Sequence, residues 1–123
     1  MAILAKLMIA LVAFEHVGIL VLEMFFWDHD IGRRVFQMTP EISRSSAVLA
    51  ANQGLYNGFL AAGLIWALWS GRTDLKVFFL GCVIVAGVFG GLTAKTTILF
   101  TQALPALIAL ALVLASRRAS APQ

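Results

Sequence analysis

The sequence predicts an all-α fold, an integral membrane four-helix antiparallel bundle with a short interfacial helix in the first loop. Composition is the first reason: 61% of the residues are hydrophobic and 12% are charged, a balance typical of membrane proteins. Length is the second, because a spanning helix needs about 20 residues and the chain has apolar runs for about four such spans. The third reason is the lipid environment, where backbone N–H and C=O groups find no water and must form their hydrogen bonds within helices. We therefore predict a single transmembrane domain over residues 1–123.

The apolar runs predict spans at about 2–27, 47–70, 75–93 and 98–116. The first run ends at Phe25-Phe26-Trp27, an aromatic group typical of a membrane–water boundary. In the long first loop, Thr39 suits an N-cap and Pro40 the first helical position. This pattern predicts a short helix near 40–46. The run Gly71-Arg72-Thr73-Asp74 predicts a tight polar turn.

Charge and cysteine content limit the function classes. The net charge of +3 comes mostly from Lys and Arg at segment ends, which is not the pattern of a nucleic-acid-binding patch. The single Cys82 lies in an apolar run, so we interpret it as a small buried hydrophobe. The first apolar run is too long for a cleaved signal peptide and holds two carboxylates, so we expect it to remain as a span. With the N-terminus inside, loop charges favour cytoplasmic termini by one basic residue.

The first span carries Glu15, His16 and Glu23. A charged group at the bilayer centre costs about 2.5–3.5 kcal/mol, so such residues usually serve a function. On a helical wheel His16 and Glu23 fall within an arc of about 60°, whereas Glu15 points about 100° away from His16. Glu15 and His16 lie too deep to be explained by solvation, and we interpret them as functional.

The second span has a polar face and a small-residue face. Asn52, Gln53, Tyr56 and Asn57 fan over about 140° of the wheel. The other face holds Gly54, Gly58 and Ala62, a small-xxx-small ridge suited to close helix contact.

Depth brings these groups together. His16 lies about 16 Å before Trp27, and Tyr56 lies about 14 Å after the start of the antiparallel second span. Glu23 comes level with Asn52 and Gln53 by the same measure. Gln102, near the start of the fourth span, enters from that side. We therefore predict one polar cavity open toward the first loop.

The first functional hypothesis is an intramembrane pocket that binds or converts a small lipophilic substrate. Glu15, His16 and Glu23 would be the catalytic acid–base groups. Their polar neighbours would bind the substrate: Asn52, Gln53, Tyr56, Asn57 and Gln102. No cofactor is predicted. A metal site ranks last, since adjacent residues diverge by about 100° on a helix. For Asn57 or Gln102 alone, a plain interhelical hydrogen bond is the favoured alternative.

The second hypothesis is a small proton-coupled transporter that uses Glu15 as the coupling carboxylate. Small multidrug transporters are four-helix chains of similar size with one essential glutamate in the first helix. The surplus of polar groups on one side favours binding or catalysis. A scaffold without a small-molecule function is the remaining alternative, although intramembrane carboxylates are costly in that role.

Three segments, EHVGILVLEMFFW, ANQGLYNGFLAAGL and FLGCVIVAGVFGGLTAK, resemble a bacterial family of small membrane proteins catalogued as domain of unknown function 1304. The most specific matches are Glu15-His16, Glu23 and 52–57, and the resemblance covers essentially the whole chain. It implies a four-helix, multi-pass protein of the bacterial inner (cytoplasmic) membrane, and it implies no activity. Expected partners are membrane lipid, a small lipophilic ligand and a second copy of the chain, contacted through glycine-rich helix faces.

Overall fold

The computed structural model describes residues 2–119 and contains helices and no strand over that range. This confirms the all-α prediction. The helices, in chain order, are α1 (Ala2–Phe25), α2 (Asp30–Phe36), α3 (Pro40–Ser70), α4 (Thr73–Thr93) and α5 (Leu104–Ala119), with a π-helical segment, Leu99–Ala103, immediately before α5.

Within residues 2–119, three helical segments are long and apolar enough to cross a membrane: Ala2–Phe25, Thr73–Thr93 and Leu99–Arg118. They correspond to the first, third and fourth predicted spans. The longest helix, α3, has 31 residues and is not among these three. Its amides Asn52, Gln53 and Asn57 lower its hydropathy, so length and composition alone do not identify it as a span.

The first loop differs from the prediction. A helix does begin at Pro40, and Thr39 Oγ1 accepts the backbone N–H of Ile42 at 3.4 Å, as expected of an N-cap. That helix continues without a break to Ser70, because no Gly or Pro interrupts the chain near Ser46. The separate short helix is α2, ten residues earlier in the chain.

One compact unit contains residues 2–13 and the described residues from 62 onward. Its fully buried side chains include Ile9, Leu64, Leu80 and Val83, which form an apolar core. Glycines allow α4 to approach the π-helical segment, since a Cβ added at Gly87 would lie 2.8 Å from the backbone nitrogen of Ala103.

The π-helical segment has a clear cause in the sequence. Pro105 lacks a backbone N–H, and its ring crowds the carbonyl four residues earlier, at Thr101. Widening the preceding turn relieves this crowding, and proline-linked irregularities of this kind are tolerated in apolar helices. The Thr101 hydroxyl donates to the carbonyl of Thr97 at 3.2 Å and so adds a hydrogen bond where the helix is irregular.

The other compact unit is Phe14–Ala61. It contains the second half of α1, all of α2 and the first two thirds of α3. Two of its fully buried side chains are polar, His16 and Ser43. Buried polar groups are costly unless they are hydrogen-bonded or functional, so a functional site is expected in this unit.

Candidate functional site

A side-chain hydrogen bond joins α1 to α3 inside the unit 14–61. Glu23 Oε2 accepts from Asn57 Nδ2 at 2.9 Å. The same amide nitrogen also donates to the backbone carbonyl of Gln53 at 3.2 Å. Both amide hydrogens are therefore used, and the second bond holds the Asn57 amide in the orientation that serves Glu23.

The small-residue ridge of α3 makes this pairing possible. A Cβ added at Gly54 would lie 2.7 Å from Met24 Cγ and 3.1 Å from Glu23 Cβ, and one added at Gly58 would lie 2.5 Å from Leu20 Cδ1. A Cβ at either position would force a neighbouring side chain of α1 to move, so the two glycines favour the close approach of the helices. The ridge predicted from the sequence is thus occupied by α1 of the same chain.

His16 and Glu15 lie deeper along α1. The side chain of His16 is fully buried, and by helical spacing it shares a face with Leu20 and Glu23, which contact α3. Glu15 is half-buried. Its Oε2 atom is enclosed and accepts no hydrogen bond from any residue in the range 2–119.

The remaining predicted site residues are placed differently. Asn52 and Gln53 are exposed, and the Tyr56 side chain is 53% exposed, with its ring centroid 6.1 Å from that of Phe59. Gln102 is half-buried in the π-helical segment. The structure thus brings Glu23 and Asn57 together, but it does not enclose Asn52, Gln53 or Tyr56 beside them.

A second polar cluster, in the first loop, was not found by sequence reasoning. Asp28 Oδ1 accepts from Arg33 Nη2 at 2.8 Å and from the Ser43 hydroxyl at 2.6 Å. Arg33 Nε donates to Ser43 Oγ at 3.1 Å, and Nη2 also donates to the Asp28 carbonyl at 3.1 Å. These bonds tie the end of α1, the middle of α2 and the first turn of α3 into one network.

The loop network shifts the titration of its own charges. Hydrogen bonds from Arg33 and then from Ser43 hold the pKa of Asp28 below its usual value. The hydrogen bond to Asp28 in turn raises the pKa of Arg33. Nearby, Trp27 Nε1 donates to Ser46 Oγ at 2.9 Å, and its ring centroid lies 4.6 Å from that of Phe36. The loop is therefore a fixed connector between α1 and α3.

A surface cavity of about 370 Å³ opens beside this network, lined by Phe26, Asp28, His29, Asp30, Ile31 and Arg33. Its one guanidinium is already engaged by Asp28, Asp30 and Ser43. Among residues 2–119, no three His, Cys, Asp or Glu side chains converge as a metal site requires. The charged stretch DHDIGRR could have indicated this cluster in the sequence. The hydrogen bonds of Asp28 and Arg33 to Ser43 could not have been predicted, because they depend on the tertiary fold.

The Asp28 network predicts a loss of stability in acid. Because the pKa of Asp28 is lower in the folded state, its contribution is present above the unfolded pKa of about 3.9 and is lost as the pH falls through the folded value. Asp28→Asn should therefore unfold at a lower temperature than wild type at pH 6. The difference between the two unfolding temperatures should be smaller at pH 3. Thermal unfolding in detergent at both pH values measures this. A difference in unfolding temperature that stays the same in acid would contradict this prediction. The control is Asp30→Asn, which changes a carboxylate that is 80% exposed.

The fold and this site define a small all-helical protein with three helices able to cross a membrane and with ionisable groups inside the first of them. The chain belongs to the family described as protein of unknown function DUF1304, which matches residues 10–114. This confirms the resemblance found in the sequence. The chain is 37% identical over 114 residues to the uncharacterized protein YpaA of Lactococcus lactis subsp. lactis (strain IL1403), covering 89% of this chain and 96% of that relative. No solved structure matches it.

Proposed function

We propose that the chain is a four-span protein of the bacterial cytoplasmic membrane, with α3 as the remaining span. Its 31 residues extend about 46 Å, which exceeds a hydrocarbon core of about 30 Å. Trp66 and Trp69 near its end are exposed, as interfacial tryptophans are. These features support a membrane-crossing α3 despite its internal amides.

The same proposal puts α2 at the membrane surface. Ile31 and Val35, one turn apart, are 55% and 51% exposed. Asp30 and Arg34 are exposed charges on the same short helix. A helix with apolar and charged exposed residues suits the boundary between lipid and water.

Within this arrangement, Glu23, Asn57 and His16 form an intramembrane site for a small lipophilic substrate. The observation that carries the proposal is the Glu23–Asn57 hydrogen bond between α1 and α3, on the helix face that also carries the buried His16. Because both amide hydrogens of Asn57 are already donated, its amide oxygen would accept a hydrogen bond from a polar group of the substrate. A histidine and a carboxylate can exchange protons with that group. Asn57 is kept as the substrate contact because Asn52, Gln53 and Tyr56 are exposed.

His16→Ala is the test of this site. The variant should lose a bound lipophilic molecule or its turnover, because it removes the proton-exchanging ring, while the helices still fold. Protein purified in mild detergent would be extracted with organic solvent, and the extract compared by mass spectrometry with and without prior incubation with bacterial polar lipids. Arg117→Ala, at an exposed position in the last turn of α5, should behave as wild type. Identical extracts and identical lipid products from His16→Ala and wild type would contradict the proposal.

Proton-coupled transport is the second candidate, and Glu15 favours it. Its enclosed Oε2 accepts no hydrogen bond within residues 2–119, so this carboxylate is available to a proton or a cationic cargo. In vesicles with an imposed pH gradient, Glu15→Gln should abolish movement of ethidium, a lipophilic cation, if this function is correct. Gradient-independent ethidium movement, equal in wild type and Glu15→Gln, would exclude it.

A further inference from the structure

One face of α3 within the unit 14–61 is exposed along its length. Its residues are all exposed and follow one another at alternating spacings of three and four: Ser45, Val48, Asn52, Leu55 and Phe59. This is the spacing of the a and d positions in a two-stranded coiled coil. We call these five residues the α3 stripe.

Asn52 lies at the centre of the α3 stripe, between apolar neighbours. Val48 is 83% exposed and Phe59 is 57% exposed. An exposed amide that faces lipid has fewer hydrogen-bond partners than one in water, which is unfavourable. Apolar residues around one central Asn at an a position are the pattern by which coiled coils fix a dimer and its register.

We propose that the α3 stripe binds the α3 stripe of a second copy of this chain, in parallel, with the two Asn52 amides facing each other. Identical chains insert in the same direction, so a two-fold axis along the membrane normal brings each Asn52 to the same depth as its copy. An amide is both donor and acceptor, so it complements itself. This inference rests on the proposed membrane-crossing position of α3.

The stripe is a better dimer interface than the glycine-rich face of the same helix. Gly54 and Gly58 are already filled by Leu20 and Met24 of the chain's own α1. Tyr56, which flanks the stripe and is 53% exposed, adds a hydroxyl to the polar centre of the interface. A second copy therefore supplies the partner that the exposed amides of α3 lack.

Disulfide cross-linking tests the dimer directly. The variant Val48→Cys would be made in a Cys82→Ser background, which removes the only native cysteine, and oxidised with copper phenanthroline in phosphatidylethanolamine–phosphatidylglycerol vesicles. The control is Val85→Cys on α4, an apolar position that is 71% exposed. Val48→Cys should cross-link to a dimer several times faster than Val85→Cys. Adding Asn52→Ala should weaken dimerisation about three- to thirty-fold, the range of intramembrane hydrogen bonds.

The outcomes separate this inference from the proposed function. Equal cross-linking of Val48→Cys and Val85→Cys overturns the dimer and assigns the stripe to lipid. Cross-linking unaffected by Asn52→Ala overturns the Asn52 pairing. Labelling of Arg44→Cys and Ser70→Cys by a membrane-impermeant thiol reagent reports whether α3 crosses the membrane. Opposite-side labelling without cross-links refutes the dimer alone, whereas same-side labelling refutes the span and the dimer together.

Discussion

Gly32→Ala is expected to destabilise the protein more than any other single methyl addition. Gly32 is buried in α2, and a Cβ there would overlap the backbone oxygen of Phe26 and lie 2.7 Å from that of Trp27. The Phe26 oxygen accepts from the backbone N–H of His29 at 3.2 Å, so it cannot retreat without breaking the turn that follows α1. Overpacking of this kind costs about 1–3 kcal/mol or more.

The measurement is chemical unfolding in detergent, followed by the fluorescence of the tryptophans. Gly81→Ala on α4 is the matched control, because a Cβ there meets nothing within 4 Å. It should leave stability unchanged or raise it by up to about 1 kcal/mol through helix propensity. If Gly32→Ala unfolds at the same denaturant concentration as wild type, the packing of α2 against the end of α1 is wrong.

Gly54→Val is expected to separate α1 from α3 and to disable the proposed site. The Cβ of the valine alone would meet Met24 Cγ, Glu23 Cβ and the Leu20 carbonyl oxygen, the last at 3.2 Å, and its two methyls need further room. A shift of α1 large enough to admit them would lengthen the 2.9 Å bond between Glu23 and Asn57. The expected cost is about 1–3 kcal/mol in stability, together with loss of any retained lipophilic molecule.

Gly18→Val provides the comparison for Gly54→Val. It introduces the same β-branched side chain into α1, where a Cβ meets nothing within 4 Å, so only the modest propensity effect remains. Unfolding in detergent and mass spectrometry of solvent extracts would be run on both variants. Equal stability and equal extracts for the two would show that the glycine ridge does not set the α1–α3 distance.

The long helices were predictable from the sequence and the loop was not. The apolar runs predicted α1, α4 and α5, because apolar runs of about 20 residues are typical of membrane-crossing helices. Helix α2 has only seven residues and depends on tertiary contacts, namely the close approach at Gly32 and the bonds of Arg33 to Asp28 and Ser43. Such contacts join residues that no local pattern relates.

The hydrogen-bond partner of Glu23 on α3 could not be predicted from the sequence. Depth arguments put Glu23 level with Asn52 and Gln53, whereas the structure pairs it with Asn57, one turn further along α3. The stagger between two helices depends on the loop that joins them, and α2 with its network fixes that stagger. The polar face of α3 was expected to meet α1, whereas Gly54 and Gly58 of the small-residue face contact it.

If the fully buried side chain of His16 belongs to a site that exchanges protons, magnetisation from water should reach its ring nitrogens quickly. Solid-state NMR of uniformly ¹⁵N-labelled protein in phosphatidylcholine vesicles measures this through magnetisation transfer from water to the histidine ring nitrogens and to backbone amides. His29→Gln leaves His16 as the single histidine signal, and the backbone amide of the fully buried Ala67 serves as the dry reference. We expect transfer to His16 well before transfer to Ala67. Equal, slow transfer to both would show that His16 is a sealed packing residue and would contradict the proposed site.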